Sequence, residues 1–257
     1  MKIRVLGSGA SSGTPSVEHG WGKCDPADPK NRRTRPSIMV SDGDTQVLID
    51  TSPDLREQLL AAEVTRLDAV ILSHAHADHL HGIDDIRGIN RRMNAAVDLW
   101  AQEYVLQTVK DRFPYVLTPL RGGATTYYKP TLTAKQFEPF RPFRVGRLEF
   151  LPITQDHGFS TSFGFRMGDT AYTTDFVRLD DRAFETLRGV GTWIIGTFSW
   201  DSHPTHLHVD GALALRDKVK PKRMILTHLS SAIDFKTVED YVPEGVSAAY
   251  DGLEIDC

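Results

Sequence analysis

Cysteine is nearly absent: of 257 residues only Cys24 and Cys257 carry a thiol, one near each end. A disulfide framework is thereby excluded, and a reducing compartment is the natural expectation. Long apolar runs are missing too. The opening MKIRVLGSGA holds a stretch too short for the core of a secretion signal, and nothing approaches the roughly 20 apolar residues that a bilayer span requires. A cytoplasmic protein with no membrane partner is expected. Nor is there an excess of basic charge, because 30 Lys and Arg against 34 Asp and Glu leave a net charge of -4, which exerts no general pull on nucleic acid. The run Asn31-Arg32-Arg33-Thr34-Arg35 is locally basic and could either meet a phosphate or be a solvated loop. Repeats, low-complexity tracts and linkers are absent as well. With 40% hydrophobic residues the chain can enclose one large core, so a single domain over 1–257 is expected.

What is present is a series of short Val- and Ile-rich runs, several of which end in His or Asp. Lys2 to Leu6 reads as a strand entering the turn GSGASSGTP. Ile38 to Val40 and Gln46 to Ile49, split by SDGDT, read as a hairpin. Further strands are expected at Ala69 to Leu72, Arg147 to Leu151, Phe163 to Met167, Ala171 to Thr173, Trp193 to Ile195 and Met224 to Leu226. Helical spacing covers Leu55 to Ala62, about Asp85 to Met93, Glu103 to Lys110 and Gly211 to Val219, with a loop-rich middle section between. Several strands in each half predict two packed sheets with helices outside.

The segments AVILSHAHADH, LEFLPITQDHG, AYTTDF and RMILTHLS each set a metal-capable side chain at or just beyond a strand's carboxyl end, where loops of α/β proteins converge on sites. The candidates are His74, His76, Asp78, His79, His157, Asp175 and His228. Seven ligands exceed one tetrahedral zinc and suit a pair of ions sharing a carboxylate and a water. The pattern His-x-His lets alternate residues grip one ion, while the following Asp-His can turn toward a second. Nitrogen and carboxylate donors suit Zn2+, with Mn2+ or Fe as alternatives. Taken singly, His157 or His228 could equally be a hydrogen-bonded structural histidine, and Asp175 a helix cap before FVRLDD. Asp50, ending VLID, is either a carboxylate that orients a metal-bound imidazole or a turn stabiliser. The glycine-rich loop from Gly7 to Gly13 could present amides to a phosphate or be a plain turn. It lacks the Lys-Ser or Lys-Thr ending of a nucleoside triphosphate loop.

Through HAHADH, His157, Asp175 and His228, in that order, nearly the whole chain resembles the metallo-β-lactamase-fold hydrolases. The resemblance implies an α/β fold, a four-layer αβ/βα sandwich, with two metals in the cleft where the sheets meet. It assigns His74, His76 and His157 to one ion and Asp78, His79 and His228 to the other, with Asp175 bridging. A narrower resemblance, through GSGASSGTP, DPKNRRTRPS, LIDTSPDLR, TTDF, SHPTHLH and LTHLSS, is to the PhnP-type phosphodiesterase of the carbon-phosphorus lyase pathway and its relatives. These are kin to the transfer-RNA 3′-processing nucleases. It implies a proton donor in PTHLH, best matched by His206, although His203, His206 and His208 could also be a polar turn before a helix. Ser8, Ser11, Ser12 and Ser231 are candidate substrate contacts.

The chain departs from that subfamily where relatives carry three close cysteines and a later histidine for a separate structural zinc. Here Cys24, His19, Trp21 and Ser231 stand at the approximate positions, and that second site is expected to be absent. The resulting expectation is a binuclear hydrolase cleaving a small or cyclic phosphodiester, nucleotide-derived ones included, with Asp78 and His206 in the chemistry and a water activated between the ions. A transfer-RNA 3′-processing nuclease is disfavoured because no extended basic arm is visible, so large RNA is not the expected partner. A thioester or lactam hydrolase on the same site remains an alternative, and pairing into a homodimer an open expectation.

Overall fold

The computed structural model describes residues 1–257. The first half of the chain runs β1 (Lys2–Gly7), β2 (Ser37–Asp42), β3 (Thr45–Ile49), α1 (Leu55–Ala61), β4 (Ala69–Ile71), α2 (Ala77–Leu80), α3 (Ile86–Met93), β5 (Val97–Ala101), α4 (Glu103–Arg112) and β6 (Leu132–Gln136). The second continues with β7 (Phe143–Val145), β8 (Leu148–Asp156), β9 (Thr161–Met167), β10 (Thr170–Thr173), α5 (Asp181–Leu187), β11 (Thr192–Gly196) and α6 (Val209–Val219). The last elements are β12 (Arg223–Thr227), α7 (Phe235–Tyr241), β13 (Val246–Ala248) and β14 (Glu254–Asp256). They form two seven-stranded sheets, ordered β14-β1-β2-β3-β4-β5-β6 and β13-β12-β11-β10-β9-β8-β7. No helix is long and apolar enough to cross a membrane.

The period-2 alternation of the strands decides the layering. Val47 and Ile49 of β3, Ile71 of β4, Ile194 of β11 and Ile225 of β12 turn into one core shared by the two sheets, along with Phe150, Phe165 and Tyr172. Their neighbours face the other way. Leu48, Val70 and Leu72 meet Leu55, Ile86, Ile89 and Val105 under the first set of helices. Trp193, Ile195, Met224 and Leu226 meet Leu187, Val209, Ala212 and Val238 under the second. The result is helix, sheet, sheet, helix, the four-layer sandwich expected from the resemblance.

Several strands were not evident in the sequence. The middle section, expected to be loop, contributes β6 and β7, each at a sheet edge. In β6 only Leu132 is buried, so no apolar alternation marks it. Strand β8 runs five residues past its expected end, through Pro152, to Asp156. Proline is tolerated there because β7 pairs only with Leu148 to Phe150, leaving the Pro152 amide position without a ladder partner to lose.

Strands β3 to β6 are mutually parallel, as are β10 to β13. The carboxyl ends of β3, β4, β8, β10 and β12 therefore open on one edge, carrying Asp50, His74, His157, Asp175 and His228. Asp50 (φ 66), Asp175 (φ 48) and His228 (φ 60) all adopt the left-handed conformation there. Such non-glycine residues cost of order 1–3 kcal/mol each and gather at functional sites. The Phe163 amide donates to Ser73 O at 3.0 Å and ties the two sheets together beside that edge.

Candidate metal centre

The seven candidate ligands meet. His74, His76, His157 and Asp175 form one group and Asp78, His79, Asp175 and His228 another, with all ligand atoms in each group within 4.8 Å of one another. Only Asp175 belongs to both. Its Oδ2 stands 3.7 Å from His74 Nε2, 3.7 Å from His157 Nε2 and 3.3 Å from His79 Nε2, while its Oδ1 stands 3.1 Å from His228 Nε2. Asp78 Oδ2 closes the second group at 3.4 Å from His79 Nε2 and 3.5 Å from His228 Nε2. Asp175 does not cap a helix: α5 begins at Asp181, with the Asp180 carboxylate accepting from the Ala183 amide.

Hydrogen bonds at the rear of the rings aim the free atoms inward. The Asp50 carboxylate accepts from His79 Nδ1 at 2.6 Å, and from the Ser73 amide and hydroxyl at 2.7 Å each. His157 Nδ1 donates to Thr205 O at 2.7 Å, which leaves its Nε2 unprotonated 3.2 Å from His76 Nδ1. The Thr174 hydroxyl donates to Asp175 Oδ1 at 2.7 Å, and Ser162 Oγ to the Asp175 carbonyl. Ser73, Ser162, Thr174 and Thr205 escaped sequence reasoning; only the doublet in TTDF hinted at one of them.

Several inward atoms have no hydrogen-bond partner although they are buried: His74 Nε2, Asp78 Oδ2, His79 Nε2 and both ring nitrogens of His228. Buried polar atoms are ordinarily satisfied, and cations between the groups would satisfy these together. The electrostatics agree. Burial works against charge on Asp175 and Asp78, yet the surrounding imidazoles, His228 and His79 foremost, hold both carboxyls well below the usual range. Burial also opposes charge on His79, but Asp175, Asp78 and Asp50 outweigh it and hold the ring well above its ordinary value, a position that calls for a cation. His74 is pushed well below it, first by burial and then by His79, and His76 is lowered by burial and by His157. A neutral imidazole is the ligand form. This nitrogen and carboxylate set fits divalent ions.

A family model described as "Beta-lactamase superfamily domain" matches residues 45–229. The chain belongs to the beta-lactamase superfamily. A crystal structure described as "a New Diphosphatase from the PhnP Family" is 32% identical, with a TM-score of 0.90, and the match covers 100% of this chain and 97% of that one. A protein of Porphyromonas gingivalis named octanoyltransferase is 32% identical over 257 residues, which is 99% of this chain and 51% of that protein. The chain thus spans about half the length of the curated relatives it first matches. The Zn2+-bound PqqB of Methylobacterium extorquens, at 20% identity and a TM-score of 0.76 with 100% of both chains covered, shares the fold.

The remaining candidates of this superfamily member fall around the centre unevenly. His206 stacks on His228, with ring centroids 5.0 Å apart, and meets His157 edge-on at 4.8 Å. Burial, His228 and His157 lower its pKa to about 3. His203 meets the His206 and Phe198 rings at 5.2 and 4.9 Å and its Nδ1 accepts from the Thr205 amide at 3.3 Å, and His208 stands at the start of α6. His81 packs on Phe113, and His19 lies exposed beside Glu18. Ser8 is buried, with its amide and hydroxyl both donated to Asp251 Oδ1 at 2.8 Å, so the hydroxyl is committed away from the cleft. Ser11 is exposed, and Ser12 lines a cavity of about 320 Å³ with Thr14, Arg32, Arg35 and Asp54. Ser231 is buried against Gly22, where an added Cβ would come 2.5 Å from its carbonyl. Of the basic run only Arg32 is exposed; Arg35 pairs with Asp54 at 2.6 Å, and Arg33 is buried.

Proposed function

We propose that the chain is a binuclear, metal-dependent phosphodiesterase acting on a small or cyclic phosphodiester. One observation carries the reading: two ligand groups share Asp175, and His206 lies against one ring of each group. Bound there, two divalent ions, with Zn2+ favoured by the donor set, would supply Lewis acidity toward a phosphoryl oxygen and lower the pKa of a water toward neutrality. His74, His76 and His157 would hold one, Asp78, His79 and His228 the other, and Asp175 both. Asp50 fixes the tautomer of His79, and Thr205 that of His157, so neither ring must reorganise during turnover. His206 is neutral at rest; an anionic diester brought beside it favours the imidazolium and readies a proton for the departing oxygen. The exposed edge of His76 marks the side from which substrate enters.

The full-length likeness to a PhnP-family diphosphatase supports phosphoryl chemistry. One finding favours a second reading, thioester hydrolysis, in which the same site acts on a carbonyl: a relative of similar identity is named octanoyltransferase. It weighs less because half of that protein lies outside the match. The deciding experiment assays bis(p-nitrophenyl) phosphate, a cyclic ribose phosphate, a dinucleoside diphosphate, an octanoyl thioester and nitrocefin in parallel, alongside metal analysis. Two ions per chain with turnover of the phosphoesters is expected. Thioester turnover alone would replace the reading with the second one, and turnover of none would end both.

A further inference from the structure

Arg33 is an oddity of this fold. It is 1% exposed, yet no carboxylate stands within ion-pair distance of its guanidinium. A buried cation ordinarily demands an ionised partner. Here the charge is spent on main-chain carbonyls: Nη1 donates to Ile233 O at 2.8 Å and to Ser230 O at 3.3 Å. Nη2 donates to Asn31 Oδ1 at 3.1 Å, and the same Oδ1 accepts from the Phe235 amide at 2.8 Å. Asn31 Nδ2 in turn donates to Asp234 Oδ2 at 2.7 Å.

Every one of these acceptors or donors on the far side belongs to the segment that follows His228. Other bonds tie the same segment after His228 to residues 8–24. The Leu229 amide donates to Ser8 O at 2.9 Å, Ala10 N to Leu229 O at 3.1 Å and Lys23 N to Ser231 O at 2.8 Å. The Cys24 thiol lies against Ser231 O and Ile233 O. His228 itself is fully buried in the left-handed conformation, and neither of its ring nitrogens is hydrogen-bonded. Unlike His79 and His157, it has no acceptor behind the ring to aim it. Its orientation rests on the backbone of the turn and on the stacked ring of His206, and Arg33 is a fully buried side chain that grips that turn.

We infer that Arg33 is a positioning residue of the metal centre: its forked bonds to Ser230 O and Ile233 O set the His228 turn, and through it the affinity of the Asp78, His79, Asp175 and His228 group for its ion. The inference rests on the reading that this group holds a metal. Lysine cannot reproduce the fork, since it offers a point charge where arginine offers planar donors.

The test titrates chelator-stripped full-length protein with Zn2+ and follows heat and bound metal, so that no turnover is needed. His76→Ala and His228→Ala identify which binding step belongs to which group, and Val109→Ala, on the buried face of α4 in the core beneath the first set of helices, supplies a variant weakened in stability alone. Arg33→Lys is expected to weaken the His228 step about tenfold while sparing the other, and to add little further in combination with His228→Ala, because residues acting through one another are not additive. Equal weakening of both steps, as in a merely destabilised variant, or unchanged affinity at both, overturns the inference. Should Arg33→Lys fail to fold, Asn31→Ala carries the same test, with about threefold weakening confined to the same step expected and any other pattern overturning it. Wild-type protein that binds fewer than two ions would instead overturn the metal-centre reading itself.

Discussion

The two ligand groups differ in shelter. Asp78, His79, Asp175 and His228 are all buried, whereas the other group contains the exposed His76. Their supports differ in kind as well. His79 leans on the fully buried carboxylate of Asp50, itself held by two bonds from Ser73. His157 leans on a main-chain carbonyl, Thr205 O, in the loop that also carries His206. An anionic backing raises ligand basicity more than a neutral carbonyl does. Under the proposed function, the sheltered group would hold its ion more firmly than the open one.

Removal of Asp175 should erase the contrast altogether. Asp175→Ala is expected to drop metal content below one ion per chain and hydrolysis by about 1,000-fold or more, since the shared carboxylate serves both ions; near-normal metal in elemental analysis would contradict the bridge. His206→Ala should leave both ions in place and lower kcat by about 100-fold. That loss should shrink for p-nitrophenyl esters, whose leaving group needs no proton, and an equal loss on alkyl and nitrophenyl diesters would argue against proton donation. The contrast itself is sharpened by a pair of variants under chelator challenge. Asp50→Ala should weaken one ion by about 10- to 100-fold, whereas His76→Ala should weaken the other; if both variants lose the same ion, the assignment of supports is wrong.

The smallest effect is in stability. The pKa of His206 is lowered from 6.5 to about 3 in the fold by burial and its neighbouring rings, so below pH 6.5 the unfolded chain binds a proton that the folded one refuses. Stability should fall as pH drops from 6.5 toward 3. In metal-free protein His206→Phe should flatten that slope of Tm by a few degrees, and an unaltered slope would show that other groups set it.

The ligands that follow β4 and β12 were readable in the sequence because those strands are short apolar runs that stop at a polar residue, whereas β8 runs through Pro152 to Asp156 before reaching His157. AVILSHAHADH and RMILTHLS show strand and ligand in one glance, and parallel topology then forces such ends to one edge. The supports were less legible. Thr205 acts through its carbonyl, which no side-chain pattern reveals, and Asp50 left a choice between orienting an imidazole and bracing a turn that only the 2.6 Å contact with His79 resolves. Ser8 was a candidate substrate contact because it sits in a glycine-rich loop; its hydroxyl instead meets Asp251, 243 positions away, a distance over which sequence pattern is blind. The burial within the basic run was hidden for a related reason. Arg33 looks like its neighbours in the string, yet it is turned into the interior by carbonyls some 200 positions distant. Strands β5 and β6 were missed because Val97, Leu99 and Ala101 alternate over only five residues and β6 barely buries anything.

His74, His76, Asp78 and His79 hang from the first sheet and His157, Asp175 and His228 from the second, so neither half can grip a cation well by itself. A slip of one residue in β10 or β12 would swing Asp175 or His228 to the opposite face and leave the cavity unable to close on its ions. Ions bound there would reward only the native register of the two sheets, and their free concentration would tune how firmly the two halves stay fastened.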